Sequence, residues 1–121
     1  MLTQDFAHKF TNDWIEAWNS HDLDRILAHY TDDFEMSSPV IAQLAGEPSA
    51  LLKGKEKIRA YWEKALERNR SLSFTLVSTL LGANSITILY KGHRGLSAEV
   101  FLFQSDGLVN KAIAHYEAAP E

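Results

Sequence analysis

The apolar residues of this chain change their period once, and that change constrains the fold more than any other feature. Between Phe6 and Leu66 they recur mostly at spacings of three and four. From Ser71 onward they fall at every second position. The first pattern is one face of an α-helix, and the second is one face of a pleated strand. Helices followed by strands predict an α+β fold, with helices packed on one face of a curved sheet.

Within the helical half, Thr3 is placed to cap the first helix, and Phe6, Phe10, Trp14, Ala17 and Trp18 form its apolar stripe. Asn19-Ser20-His21 reads as a turn that leaves His21 exposed. Asp22 is the expected N-cap of a second helix whose face is Leu23, Ile26, Leu27 and Tyr30. Thr31-Asp32-Asp33 ends that helix, and Phe34 to Ser37 alternate as a strand does. Residues 39–53 are punctuated by Pro39, Gly46 and Pro48, yet carry Val40, Ile41, Leu44, Leu51 and Leu52. An apolar loop needs cover, so this stretch predicts a flap that ends in a short strand at 50–53. Gly54 opens a third helix with Ile58, Tyr61, Trp62, Ala65 and Leu66 inward. His8, His29 and His93 read as exposed helix and turn positions.

In the second half, Leu72, Phe74 and Leu76 alternate first, then Ile86, Ile88 and Tyr90. Turns at 82–84, 91–95 and 105–107 separate four strands, the last two at 96–103 and 108–117, which predicts an antiparallel meander. The third strand is apolar on both faces, with Phe101 and Phe103 on one and Val100 and Leu102 on the other. Helices cover one face, so the other is expected to meet a second copy of the chain in a homodimer.

A chain of 121 residues is expected to form one domain, 1–121, with a full core. The net charge of −4 without a basic cluster argues against nucleic-acid binding. There is no cysteine, no metal-ligand spacing and no glycine-rich phosphate loop, so neither a metal nor a cofactor is expected. The first residues lack the basic and apolar segments of a signal peptide, and no apolar run is long enough for a membrane span. The expected compartment is cytoplasmic.

Trp14-x3-Trp18-Asn-x2-Asp22-Leu-Asp, then Tyr30-Thr-Asp-Asp33 and Ser38-Pro39, resembles the opening of the nuclear transport factor 2-like superfamily. Gly54-x3-Ile58-x2-Tyr61-Trp62 is similar to its third helix, and Phe101-Leu-Phe103-x3-Gly107-Leu-Val to its last hairpin. Within that superfamily the SnoaL-like and ketosteroid isomerase-like branch is the nearest likeness. The resemblance covers nearly the whole chain. It implies a cone-shaped half-barrel, three N-terminal helices on a strongly curved, mostly antiparallel sheet, with a deep apolar pocket between them. In ketosteroid isomerase an aspartate moves a proton, while a tyrosine and a protonated aspartate stabilise the enolate. At those three positions this chain has Ser38, Trp14 and Glu99. Tyr30 matches a tyrosine found behind the site in some members, and Trp62 replaces another. A serine hydroxyl does not remove a carbon-bound proton without a base to activate it.

Glu99 also stands out without the resemblance, because it lies mid-strand in phase with Phe101 and Phe103. A carboxyl on an apolar face is costly unless it is paired or protonated. It therefore marks a pocket, an edge facing water, or a pairing at the dimer. His115 shares its face with Lys111 and is expected to point outward. The resemblance implies a pocket for a small, largely hydrophobic metabolite. The catalytic candidates are Glu99 as acid or base, with Tyr30 and Ser38 as hydrogen-bond partners. The ligand-binding candidates are Trp14, Trp18, Trp62, Tyr90, Phe101, Ala112 and Tyr116. One reading is an isomerase- or cyclase-type enzyme using general acid-base chemistry. The alternative is a non-catalytic ligand-binding or dimeric interaction domain of the same fold.

Overall fold

The computed structural model describes residues 1–120. The elements are α1 (Gln4–Asn19), α2 (Leu23–Leu27), β1 (Tyr30–Ser37), α3 (Pro39–Leu44), β2 (Leu51–Lys53), α4 (Lys55–Arg68), β3 (Thr75–Leu81), β4 (Ser85–Gly92), β5 (Gly95–Phe103) and β6 (Val109–Tyr116). The strands form one open six-stranded sheet in the order β2-β1-β6-β5-β4-β3. Strands β3 to β6 make the expected meander, and only β1 against β6 is parallel. Register shifts between Leu76 and Ser78, and between Leu102 and Phe103, bend the strands so that the sheet curls over the helices.

The caps follow the sequence. Thr3 Oγ1 accepts from the Phe6 amide at 3.1 Å, and Asp22 Oδ1 from the Arg25 amide at 3.1 Å. Each satisfies an amide hydrogen that the first helical turn leaves unpaired. Gly54 opens α4 at φ 95°, a conformation that favours glycine, and its amide donates to the Phe34 carbonyl at 2.8 Å. The side chain of Asn19 clamps the start of the meander. Its Nδ2 donates to the Phe74 carbonyl at 3.0 Å, and its Oδ1 accepts from the Phe74 amide at 2.7 Å.

Several expectations need correction. Tyr30 is the first residue of β1, not the last of a helical face. Its i+7 spacing from Leu23 mimics a helix, but α2 ends at Leu27 and the chain is already extended three residues later. Thr31, Asp32 and Asp33 lie inside the strand. The flap at 39–53 contains a six-residue helix, α3, so four helices are present where three were expected. Ser38 caps it, accepting from the Val40 amide at 3.2 Å, and Pro39 fits its first turn, where no amide hydrogen is needed. His21 is half-buried at φ 56°, with Nε2 2.8 Å from the Leu72 carbonyl oxygen. His29 is also half-buried, with Nε2 2.7 Å from Asp13 Oδ2, in a cluster that Arg25 completes. Among the described residues no helix is long and apolar enough to cross a membrane.

The core lies between α1, α4 and the concave face of the sheet. Trp14, Tyr30, Phe34, Phe101, Ile58, Ile86 and Ile88 are among its largest enclosed members. Aromatic rings dominate the contact between α1 and β5: Phe10 meets Phe101 edge-on at 4.9 Å, and Trp14 meets Phe101 at 5.3 Å.

Candidate functional site

Glu99 occupies the middle of β5, paired with Ile88 on β4 and Ala114 on β6. It is therefore on an interior strand, which removes the edge-strand placement. The period of two carries its side chain to the same face as Ser97 and Phe101. That face is the concave one, and Glu99 is only 3% exposed. Two residues earlier on the same face, Ser97 is paired with Tyr90 on one side and Tyr116 on the other. Two phenols thus flank the approach to the carboxyl group.

Tyr90, Ser97, Glu99 and Tyr116 line a cavity of about 410 Å³. Trp14 and Trp18 of α1 and Tyr61 and Trp62 of α4 form its helical wall. Tyr90, Ser97, Glu99 and Tyr116 form the sheet wall, while Met36, Val40 and Leu44 close one side. The flap thus contributes α3 to the cavity. Exposed Arg68, His93 and Arg94 stand at the open end with half-buried Asn69.

Burial sets the protonation state of this site. Removal from water pushes the Glu99 carboxyl up to about 8, against an opposing hydrogen bond from Tyr90. Glu99 is therefore mostly neutral at pH 7, when it both donates and accepts a hydrogen bond. Burial also raises Tyr30, Tyr61, Tyr90 and Tyr116, and the charge that Glu99 would carry raises all four further. The result is a neutral carboxylic acid among neutral phenols in an apolar chamber. Such a chamber favours donating a hydrogen bond or proton to a carbonyl or ether oxygen.

The structure brings Trp14, Trp18, Trp62, Tyr90, Glu99 and Tyr116 to the cavity wall. Tyr30, Ser38, Phe101 and Ala112 are buried behind that wall. The Tyr30 hydroxyl accepts from Trp14 Nε1 at 3.0 Å. Ser38 caps α3, and its nearby hydroxyl lowers the Tyr61 and Tyr116 phenols against the rise that burial causes. Tyr61, Ser97 and Arg94 were not among the candidates. Ser97 was within reach of the period-two argument, being in phase with Glu99. Tyr61 has the same helical spacing as plain core residues, and Arg94 sits in a turn that carries no pattern at all. Trp18 Nε1 is the only buried side-chain polar atom without a partner among the described residues.

A family model described as a SnoaL-like domain matches residues 11–118. The chain is 54% identical to a SnoaL-like protein of unknown function from Burkholderia thailandensis, covering 96% of this chain and 98% of that one, with a TM-score of 0.92. An NTF2-like protein of unknown function from Cytophaga hutchinsonii shares the fold at TM-score 0.70 and 12% identity, covering 97% and 95%. The epoxide hydrolase/cyclase-like enzyme SalBIII, of pyran ring formation in the polyether salinomycin, is similar at TM-score 0.76 and 13% identity, covering 97% and 95%. No curated protein matches the chain.

Proposed function

The chain belongs to the SnoaL-like domain family of the NTF2-like superfamily, and from that premise we propose that its cavity binds a small, largely apolar metabolite and isomerises or cyclises it by acid catalysis at Glu99. The observation that carries this reading is the Glu99 carboxyl, enclosed at the wall of a cavity of about 410 Å³. As negative charge builds on a carbonyl or epoxide oxygen, Glu99 gives up its proton to that oxygen. The carboxylate it leaves then takes back the proton released by the attacking hydroxyl or the adjacent carbon. One residue serves as acid and then as base, so no base is required at Ser38. Similarity to a cyclase-like enzyme at 13% identity speaks for the fold and is compatible with this chemistry.

The test is turnover of hydroxy-enones and cyclic ketones, followed by proton NMR in heavy water. Glu99→Gln keeps the shape and loses the transferable proton, so rates should fall about a hundredfold or more. Full turnover by that variant would remove Glu99 from the chemistry. One observation favours binding without reaction: the Ser38 hydroxyl is committed to a helix cap. On that reading, ligands that raise the melting temperature would do so equally in Glu99→Gln, with no product formed.

We propose that the protein is a cytoplasmic homodimer. On the convex face of the sheet, Leu80 and Leu102 are 52% and 37% exposed, and Val100 and Ile113 are half-buried. Leu80, Thr87, Val100 and Ile113 align across four strands, a row that is apolar except at Thr87. A second copy packed on this row is the occupant we propose. Sedimentation should show a dimer that Val100→Lys converts to a folded monomer. A monomeric natural chain at micromolar concentration would contradict this.

A further inference from the structure

Two arginines stand at the open end of the cavity and take no part in the chemistry at Glu99. Arg68 ends α4, and Arg94 lies in the tight turn between β4 and β5. Arg25 and Arg59 are each held by aspartates. Arg68 and Arg94, by contrast, have no carboxylate within 4.0 Å among the described residues. Both border the cavity, where Glu99 is the only acidic residue.

The arginine in the turn is held against the cavity wall. The Arg94 guanidinium carbon lies 5.6 Å from the ring centroid of Tyr116, which itself lines the cavity. This cation–π contact lays the charged group along the opening and leaves guanidinium N–H groups to donate. Its turn permits this placement: Gly95 takes the positive φ, 83°, so His93 and Arg94 need not. Beside it, Asn69 Nδ2 donates to His93 Nδ1 at 2.9 Å, joining the end of α4 to the hairpin. With Nδ1 accepting, a neutral His93 carries its proton on Nε2 as a further donor. Arg68, His93 and Arg94 thus supply donors at the opening, and Trp18, Trp62, Leu72 and Phe74 are among the apolar lining residues.

From this juxtaposition we infer that the cavity selects apolar carboxylic acids, with the ligand's carboxylate held at the opening by Arg94 and Arg68 and its reacting oxygen directed inward to Glu99. The inference rests on the pocket reading above and adds the substrate class. Arg94, in the turn, precedes Glu99 by five residues, and an acid with an extended or bicyclic body is the class proposed to reach from one to the other. Guanidinium fits a carboxylate because both are planar and pair through parallel hydrogen bonds.

Calorimetric binding of 2-naphthylacetic acid and its methyl ester, at pH 7 and low salt, tests this directly. The two share one apolar body and differ in charge. The acid should bind about tenfold more tightly than the ester, and added salt should narrow the gap. Replacing both arginines, Arg68→Gln with Arg94→Gln, should bring the acid to parity with the ester. Arg94→Lys, which keeps the charge, should preserve part of the preference. An ester that binds as well as the acid, or a preference that survives the double replacement, overturns the inference and leaves the pocket reading standing. Binding of neither compound overturns both.

Discussion

Glu99→Gln is expected to be more stable than the natural chain at pH 8, by about 4 kcal/mol, even as it loses function. The carboxyl ionises near 4.5 when exposed in the unfolded chain but near 8 in the fold. Between those values the folded protein holds a proton that the unfolded chain has released. Stability therefore falls as pH rises through this window, at about 1.4 kcal/mol per pH unit, and levels off above it. The contribution is largest at acid pH, opposite to the usual salt-bridged carboxylate. Glutamine does not titrate and has nearly the shape of the neutral acid, so its variant should show none of this slope. Denaturant unfolding at pH 5, 6.5 and 8 would measure it. Parallel stability curves for the two proteins would mean that the fold does not hold Glu99 protonated.

That slope bears on the proposed function as well as on stability. A buried group that weakens the fold at neutral pH is expected where it does something a glutamine cannot, which is to release a proton. Activity through the protonated acid should decline as pH passes about 8, the same point at which the stability slope ends. Agreement between the two profiles would assign both to one carboxyl group. It would also separate catalysis from simple binding, because a bound apolar ester does not need the acidic proton.

Much of this was legible in the sequence because it depends on period. The alternation of Ile86, Ile88 and Tyr90, and of Glu99 with Phe101 and Phe103, places each on the concave face. The same alternation placed Lys111 and His115 outside, where both are exposed. What failed was too short to have a period. Helix α3 has six residues, and its Val40 and Ile41 read as loop apolars. Tyr30 matched a helical repeat by coincidence, one residue after a turn that only backbone hydrogen bonds define. The cavity also mixes two kinds of contributor. Wall residues come from regular elements and follow from spacing, whereas Arg94 comes from a hairpin turn, and its contact with Tyr116 depends on tertiary placement. Tyr30 and Ser38 show a further limit. Resemblance located them near the site, but only coordinates show that one hydroxyl faces Trp14 and the other caps α3.

Trp14→Ala should cost about 3–5 kcal/mol, the range for deleting an enclosed aromatic from a packed core. Trp14 is 1% exposed, and its ring meets Phe74 at 5.7 Å, Tyr90 at 5.4 Å and Phe101 at 5.3 Å. It thus joins α1 to three strand-side aromatics at once. A finer experiment isolates its bond to Tyr30. Trp14→Phe removes the indole donor and strands the buried Tyr30 hydroxyl. Tyr30→Phe strands the indole instead. Each leaves one buried polar group unpaired, at about 1–3 kcal/mol. The double replacement leaves neither, so its cost should fall short of the sum by about 1 kcal/mol or more. The same variants decide what Tyr30 does. A hydroxyl committed to Trp14 and set behind the cavity wall positions that wall without touching the ligand. Tyr30→Phe should then change ligand affinity less than twofold, in contrast to Glu99→Gln, whose effect falls on turnover. A loss of turnover in Tyr30→Phe as deep as in Glu99→Gln, at unchanged stability, would make Tyr30 a catalytic residue. It would also require the hydroxyl to leave the indole during reaction.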